Sequence, residues 1–251
     1  MSSAGEEVVG GRLDPSRSYF IDVLGKKGYG KSALARWIFD SYPYDRLVID
    51  TTGDVAPGED WRTVRGEIPE RWPVNFDGKR ITLRYVPDPT SPHYRDDLDR
   101  AVGLAFSHGA RKGHVMLWCE EVHEMAPSGR TGPHMRRALR QGRHVGLTML
   151  NTDIRPVTVD PLVLNQADII YSFRIPNPRD RQAVADSIGW DLKEPIEDLD
   201  GESLDQVLAG LEKFHYARYV HEDDELVVFP PLPAPKKIPH ADRSMGVGAD
   251  V

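Results

Sequence analysis

Residues 25–32 combine glycines, a lysine and a hydroxyl side chain at a spacing that suits phosphate binding. Gly25, Gly30, Lys31 and Ser32 fit the pattern G-x-x-x-x-G-K-[ST], between an apolar run and a helical pattern. In such a loop the backbone N–H groups and the helix N-terminus bind the α- and β-phosphates of a nucleotide. Lys31 would reach the β- and γ-phosphates, and Ser32 would supply a hydroxyl ligand to Mg²⁺. We therefore expect ATP to be bound by Gly25, Lys26, Lys27, Gly28, Tyr29, Gly30, Lys31 and Ser32.

Two adjacent glutamates form a second candidate group. Glu120 and Glu121 directly follow the apolar run HVMLWC at 114–119. Mg²⁺ and an attacking water would both lie beyond the carboxyl edge of a parallel sheet, where an acid at a strand end can reach them. We expect Glu120 to hold Mg²⁺ through water and Glu121 to orient or deprotonate the attacking water. The alternative is that both glutamates are simply solvated.

The elements that must position these groups can be read from the apolar pattern. Runs of strand length alternate with helical patterns, which is typical of an α/β fold with a mainly parallel sheet flanked by helices. Near the C-terminus, KFHYARYV and ELVVFP flank the turn HEDD and predict an antiparallel hairpin, whereas 51–80 reads as an elaborated loop. The expected strands are 19–24, 46–50, 81–86, 114–119, 146–150 and 168–175, and the expected helices are 31–41, 95–108, 133–144 and 178–188.

Length and composition indicate one globular domain. The chain has 251 residues, 39% hydrophobic and 28% charged, and it contains no apolar run of the roughly 18 residues that a membrane span requires. We expect a flexible arm at 1–17, one domain at 18–230 and a proline-rich tail at 231–251. The single cysteine, Cys119, cannot form an internal disulfide, so a reducing cytoplasm is the natural setting.

Charge is unevenly distributed along the chain. The net charge is -7, which argues against a nucleic-acid surface covering the whole protein. Residues 130–144 nevertheless carry five arginines and no acid, whereas 191–225 carry twelve acids and three bases. A basic segment therefore coexists with an acidic flank.

Four segments together resemble the HerA–FtsK superfamily of P-loop ATPases, which includes DNA translocases and viral genome-packaging ATPases. They are GKKGYGKS, MLWCEEVHEMAP, RRALRQGRHVGLTMLNTDIRP and ADIIYSFRIPNPRDRQAVADSIG, within residues 19–190. The resemblance implies a RecA-like P-loop NTPase fold and a Mg²⁺-dependent ATPase. It also implies a homo-oligomeric, hexameric ring that moves double-stranded DNA without sequence specificity and needs no membrane. Such a protein would work in the host cytoplasm, or in the virion if it is viral.

The resemblance also suggests further site residues. Members of the superfamily typically show an aspartate–glutamate pair followed by Ala-His, where this chain has Glu120-Glu121-Val122-His123. In the superfamily, one strand lies between the strand before the glycine loop and the strand before the acid pair. A polar residue at the end of that strand senses the γ-phosphate. In NTDIRP we assign that role to Asn151, with Thr152 next and Asp153 a poor substitute, because a carboxylate repels the γ-phosphate.

Arginines in the basic segment are candidates for completing a neighbouring subunit's site. The resemblance places Gly142-Arg143 at the end of a helix, and ring ATPases of the superfamily use arginines in this way. Arg140 and Arg143 are therefore candidate catalytic residues in trans, with Arg174 in reserve. A solvated helix face or a DNA contact remain alternatives for this helix.

A second class of ATPase shares one feature of the loop. Lys26 lies five residues before Lys31, where the ParA–MinD family carries its signature lysine. That family works as an ATP-switched dimer in partitioning or positioning and does not rely on a glutamate after the second nucleotide-site strand. A nonmotor assembly protein that binds ATP only for structure is a third possibility.

Overall fold

A nine-stranded mixed sheet organises the part of the chain that this computed structural model describes, residues 13–74 and 78–232. Its spatial order is β3-β4-β2-β5-β6-β1-β7-β8-β9. All pairings from β3 to β7 are parallel, and β8 and β9 add an antiparallel hairpin at one end. The strands are β1 Phe20–Leu24, β2 Asp45–Ile49, β3 Trp61–Arg65, β4 Thr82–Val86, β5 Val115–Glu120, β6 Leu147–Asp153, β7 Ile169–Ser172, β8 Tyr216–Val220 and β9 Glu225–Phe229.

Six α-helices accompany these strands within the described ranges, and the local sequence explains several of their ends. Asn177 accepts a hydrogen bond from the Arg179 N–H at 2.9 Å, and Ser203 forms a capping box with Gln206. Gly189 ends its helix in the left-handed region, where glycine is favoured. The helices are α1 Lys31–Ser41, α2 Tyr94–Lys112, α3 Pro133–Gln141, α4 Pro161–Asn165, α5 Pro178–Ile188 and α6 Leu204–Gly210.

The helices cover both faces of the sheet, so its central strands are apolar on both sides. On one face α1 packs against side chains such as Val23, Trp118 and Leu150. On the other face α2 and α3 pack against Leu117 and Met149, and a separate cluster lies under α5 and α6. Because side chains alternate along a strand, neighbouring residues at the end of a strand face opposite sides of the sheet.

The predicted α/β fold with a mainly parallel sheet and a C-terminal hairpin is confirmed. Two expectations need correction. Residues 51–80 are not only a loop, because β3 lies within them and pairs with β4. The strand expected at 146–150 continues to Asp153, because it pairs with β5 and β1 on both sides.

Other boundaries shift, and some predictions cannot be assessed. Helices α4 and α6 were not expected, and the run 168–175 forms a strand only at Ile169–Ser172. The predicted arm falls largely, and the tail almost wholly, outside the described residues. Within the described ranges, no helix combines the length and apolarity needed to cross a bilayer.

Gly25 occupies a position that excludes a side chain. Its φ is 127°, and a Cβ added there would lie 2.8 Å from the carbonyl oxygen of Phe173. We predict that Gly25→Ala lowers the free energy of unfolding by ~1–3 kcal/mol beyond the cost of a positive φ alone. Urea unfolding of the purified variant measures this loss.

Gly28→Ala is the matched control, because Gly28 also has a positive φ, 80°, but a Cβ there would meet nothing within 4 Å. Equal losses of stability in the two variants would contradict the close contact with Phe173.

Candidate active site

Three neighbouring parallel strands bring the predicted groups to one edge of the sheet. Strand β6 lies between β1 and β5, and its register places Thr152 beside Glu120 and Asp153 beside Leu24. The carboxyl ends of β1, β5 and β6 therefore meet. A cavity of about 320 Å³ lies at this edge, and its lining includes Lys27, Gly28, Gly30, Lys31, Ser32, Thr52, Glu120, Glu121, Thr152, Asp153 and Phe214.

The glycine loop has the backbone geometry of an anion-binding concavity. Gly28 and Gly30 both have positive φ, 80° and 113°, and α1 begins directly after them. Two backbone hydrogen bonds fix the start of the loop. The Gly25 N–H donates to the Asp153 carbonyl at 3.2 Å, and the Lys26 N–H donates to the Arg174 carbonyl at 2.9 Å. The loop N–H groups and the positive end of α1 thus share one cavity.

Lys31 is a buried cation among three carboxylates. Burial lowers the pKa of its ammonium, and the charges of Glu121, Asp153 and Glu120 oppose that shift. Its Nζ donates to the Lys26 carbonyl at 3.3 Å. This side chain can deliver positive charge to a phosphate in the cavity.

A buried ion pair supports the acid on the neighbouring strand. Asp50, directly after β2, accepts hydrogen bonds from the Gly53 and Val55 N–H groups at 2.8 and 3.1 Å. The guanidinium of Arg84 lies 2.6 Å from its Oδ2. These contacts fix the segment after β2, from which Thr52 donates to Glu120 Oε2 at 3.1 Å.

Glu120 forms no ion pair within the described ranges, and its carboxylate suits a metal. Burial, together with a hydrogen bond shared with Asp50 and the charge of Asp50, raises the pKa of Glu120 to about 8. The Ser32 and Thr52 hydroxyls line the same cavity. This set of oxygen donors fits Mg²⁺, a hard cation, and a divalent charge would favour the ionised form of Glu120.

Glu121 has a strained backbone. Its φ and ψ of 54° and 63° are left-handed, which costs a residue other than glycine ~1–2 kcal/mol. A 3₁₀ turn at Val122–Glu124 follows and maintains this conformation, with the Glu124 N–H donating to the Glu121 carbonyl at 2.9 Å. Strain of this kind is typical of positions where the side chain must take one direction.

His123 fixes the turn to the end of β6. Its backbone N–H and its Nδ1 lie 2.9 and 2.8 Å from Asp153 Oδ2. This hydrogen bond raises the pKa of His123. Burial opposes ionisation of Asp153, but the hydrogen bonds from His123 and from the Arg155 N–H outweigh it and lower the pKa of Asp153. Positive charge on His123 would reduce the repulsion that Asp153 exerts on a phosphate.

The structure does not bring Asn151 to the cavity. Its Nδ2 donates to Asp22 Oδ1 at 2.8 Å in the core, where burial raises the pKa of Asp22 to about 7. Because β6 continues to Asp153, Asn151 faces the side covered by α2 and α3, like its neighbour Cys119. Thr152 faces the α1 side and lines the cavity, and its Oγ1 accepts from Trp118 Nε1 at 3.4 Å.

Lys26 does not line the cavity either. Its ammonium lies 5.5 Å from the ring centroid of Tyr29, which does not line the cavity either. Five of the eight predicted loop residues line the cavity, namely Lys27, Gly28, Gly30, Lys31 and Ser32.

The candidate arginines lie in different places. Arg143 is near the amino edge of the sheet, where its guanidinium contacts Asp168, Gln166 and the ring of Phe20. Arg140 is exposed in the last turn of α3. Neither lines this chain's cavity, so their predicted action on a neighbouring subunit stays a prediction. Arg174 is exposed beside the glycine loop, with its NH1 3.5 Å from the Tyr29 hydroxyl.

Sequence reasoning missed several residues of the edge. Asp50 ends the apolar run RLVID, which is the same signal that identified Glu120. Arg84 interrupts the apolar run ITLRYV, and a buried charge in a strand predicts an acidic partner. No comparable signal identified Phe214, which is 45% exposed with φ 71° and lines the cavity from the turn before β8.

A parallel sheet with a glycine–lysine loop between β1 and α1 and an acid pair ending β5 defines a P-loop NTPase. No family model matches the chain. The chain is 26% identical over 223 residues to the DNA packaging ATPase P9 of Enterobacteria phage PRD1, which covers 87% of this chain and 89% of that protein.

Solved structures show the same fold. The genome packaging NTPase B204 of Sulfolobus turreted icosahedral virus 2, in complex with AMPPCP, matches with a TM-score of 0.63 at 16% identity, covering 87% of this chain and 100% of that chain. VirB4 of Thermoanaerobacter pseudethanolicus matches with a TM-score of 0.62 at 9% identity, covering 90% and 92%. The resemblance to HerA–FtsK P-loop ATPases inferred from the motifs is confirmed, and the fold is that of a P-loop NTPase.

The contact between His123 and Asp153 predicts a selective effect on turnover. We expect His123→Ala to lower kcat for ATP hydrolysis by roughly 10–100-fold, because Glu121 loses the support that aims its carboxylate. ATP affinity should change little, since the glycine loop and Lys31 are intact. Steady-state kinetics and binding of a nonhydrolysable ATP analogue separate the two effects.

His93→Ala is the control, because His93 is exposed at the start of α2 and its side chain caps no N–H. An unchanged kcat in His123→Ala would show that Glu121 does not depend on this contact.

Proposed function

We propose that this chain is an ATP-hydrolysing motor that translocates double-stranded DNA, with viral genome packaging as its role. The observation that carries the proposal is the meeting of the glycine loop, Lys31 and the acid pair at one sheet edge. The relationship to the phage PRD1 packaging ATPase supports DNA as the substrate.

The glycine loop and several side chains of the edge take roles in this reaction. The loop N–H groups and Lys31 bind the phosphates, and Glu121 orients or deprotonates the attacking water. Thr152 replaces Asn151 as the polar residue that contacts the γ-phosphate. Ser32 and Glu120 would hold Mg²⁺, which would neutralise charge on the β- and γ-phosphates.

The motor would act as a homo-oligomeric, hexameric ring on double-stranded DNA, without sequence preference. A packaging role places it in the host cytoplasm or in the virion. The alternative of a ParA–MinD-like switch gains no support, because its signature residue Lys26 points to Tyr29 and the related packaging ATPase belongs to another class.

Binding and hydrolysis should be separable by mutation. We predict that Lys31→Ala loses nucleotide binding, because a charge-assisted contact to phosphate contributes ~1.5–3 kcal/mol. Glu121→Gln should bind ATP normally and lose ~10²–10⁴ in kcat, because an amide cannot accept the water's proton. Calorimetric titration and a phosphate-release assay measure the two quantities. Hydrolysis by Glu121→Gln at the native rate would exclude Glu121 as the base.

An arginine acting in trans should be revealed by mixing variants. A subunit with Arg140→Ala retains its own Lys31 and Glu121, and a Glu121→Gln subunit retains its Arg140. If Arg140 completes the neighbour's site, the mixture should recover part of the activity that each variant lacks alone, since such arginines contribute ~10³–10⁵ in rate.

The same mixture made with Arg143→Ala and with Arg174→Ala compares the three candidates. Native ATP hydrolysis by all three single variants would exclude a role for these arginines in trans.

A further inference from the structure

The amino edge of the sheet, opposite the ATP site, carries two adjoining cavities. One has a volume of about 680 Å³ and the other of about 530 Å³, and His114 lines both. Together they run from Ile81 and Asp45, beside β4 and β2, to Tyr19 beside β1. The path crosses five adjacent strands, or about 19 Å at the usual strand spacing. We call this feature the amino-edge groove.

The charges of the groove are predominantly positive. Arg111 and Lys112 are exposed at the end of α2, and Arg80 donates to the neutral Tyr42 carbonyl at 2.9 Å. Among the described residues, no carboxylate forms an ion pair with any of these three cations. The acids that line the groove are already engaged, Asp45 by His108 at 2.7 Å and Asp168 by Arg143 at 3.0 Å.

Aromatic and backbone surfaces accompany the cations. Tyr44 is 38% exposed and stacks on His114, with ring centroids 4.8 Å apart. Nδ1 of His114 is buried and has no hydrogen-bond partner in the described part of the chain. Gly113 lines the wall, and a Cβ added there would meet nothing within 4 Å, so a ligand backbone can approach closely at this residue.

The combination fits a nucleic-acid backbone better than a protein surface. A groove of about 19 Å corresponds to about five or six base pairs along a duplex axis at 3.4 Å per step. Cations without an ion-pair partner can neutralise phosphates and release counterions, which is the main source of affinity that does not depend on sequence. With a net charge of -7 and an acidic flank at 191–225, the protein can bind DNA only through a localised surface of this kind.

We propose that the amino-edge groove binds the sugar–phosphate backbone of duplex DNA, so that DNA and ATP occupy opposite edges of the same sheet. This inference rests on the proposed function and names the surface through which that function would contact its track. Arg80, Arg111 and Lys112 are the residues expected to contact phosphates.

The test uses the full chain with Arg111→Gln and Lys112→Gln together. Affinity for a fluorescent 30-base-pair duplex should fall about 10-fold or more, and the slope of log K against log salt should fall by about 2, because two phosphate contacts are lost. Basal ATP hydrolysis should equal that of the wild type, while its stimulation by DNA is lost. The charge-preserving pair Arg111→Lys and Lys112→Arg should retain affinity, slope and stimulation.

Arg179→Gln with Lys193→Gln is the matched control. Both residues are exposed and lie outside the groove, and the double substitution changes the net charge by the same amount as the groove variant. Native DNA affinity in the groove variant, or an equal loss in the control, would overturn the proposal. A loss of oligomer mass without DNA would overturn it too, since the groove would then bind a second copy of this chain. Wild-type protein that hydrolyses ATP but neither binds nor responds to DNA would contradict the proposed function as well.

Discussion

The parallel alignment of β1, β6 and β5 is the constraint on which the site depends. Parallel neighbours end at the same edge, so the loop after β1, the acids after β5 and the end of β6 meet without any long connection. The register of β6 then fixes Thr152 beside Glu120, on the face that α1 covers. A shift of one residue would turn Thr152 away from α1 and bring Asn151 towards it.

Concentrating acids at one edge creates repulsion, and the structure distributes cations unequally among them. Asp50 is paired with Arg84, and Asp153 is hydrogen-bonded to His123. Glu120 forms no ion pair among the described residues, and burial together with the hydrogen bond and the charge of Asp50 raises its pKa. The two neutralised acids hold segments in place, whereas Glu120 and Glu121 remain available for a metal ion and a water. Pairing with Arg84 therefore distinguishes Asp50 from Glu120, whereas His123 lies near both Asp153 and Glu121, with its Nε2 3.8 Å from Glu121 Oε2.

Much of the fold followed from local pattern, because strands buried on both faces are nearly continuous apolar runs and the glycine–lysine loop has a strict spacing. Strand β3 was missed because its residues, WRTVR, are largely exposed at the edge of the sheet. The orientation of Asn151 was missed for a different reason. Apolar content ends at Leu150, and only pairing with two neighbours keeps 151–153 extended. Long-range contacts such as Arg84 with Asp50 have no spacing that a sequence could reveal.

Single strands and helices run from the amino edge of the sheet to its carboxyl edge, and they connect the amino-edge groove to the ATP site. Strand β5 begins directly after His114 in the amino-edge groove and ends at Glu120 in the ATP site. It is buried along its whole length, and a close-packed strand transmits a displacement rather than absorbing it. Helix α2 packs beside β5 and carries Arg111 and Lys112 in its last turn. Coupling between the proposed DNA groove and the ATP site would therefore not require a separate domain.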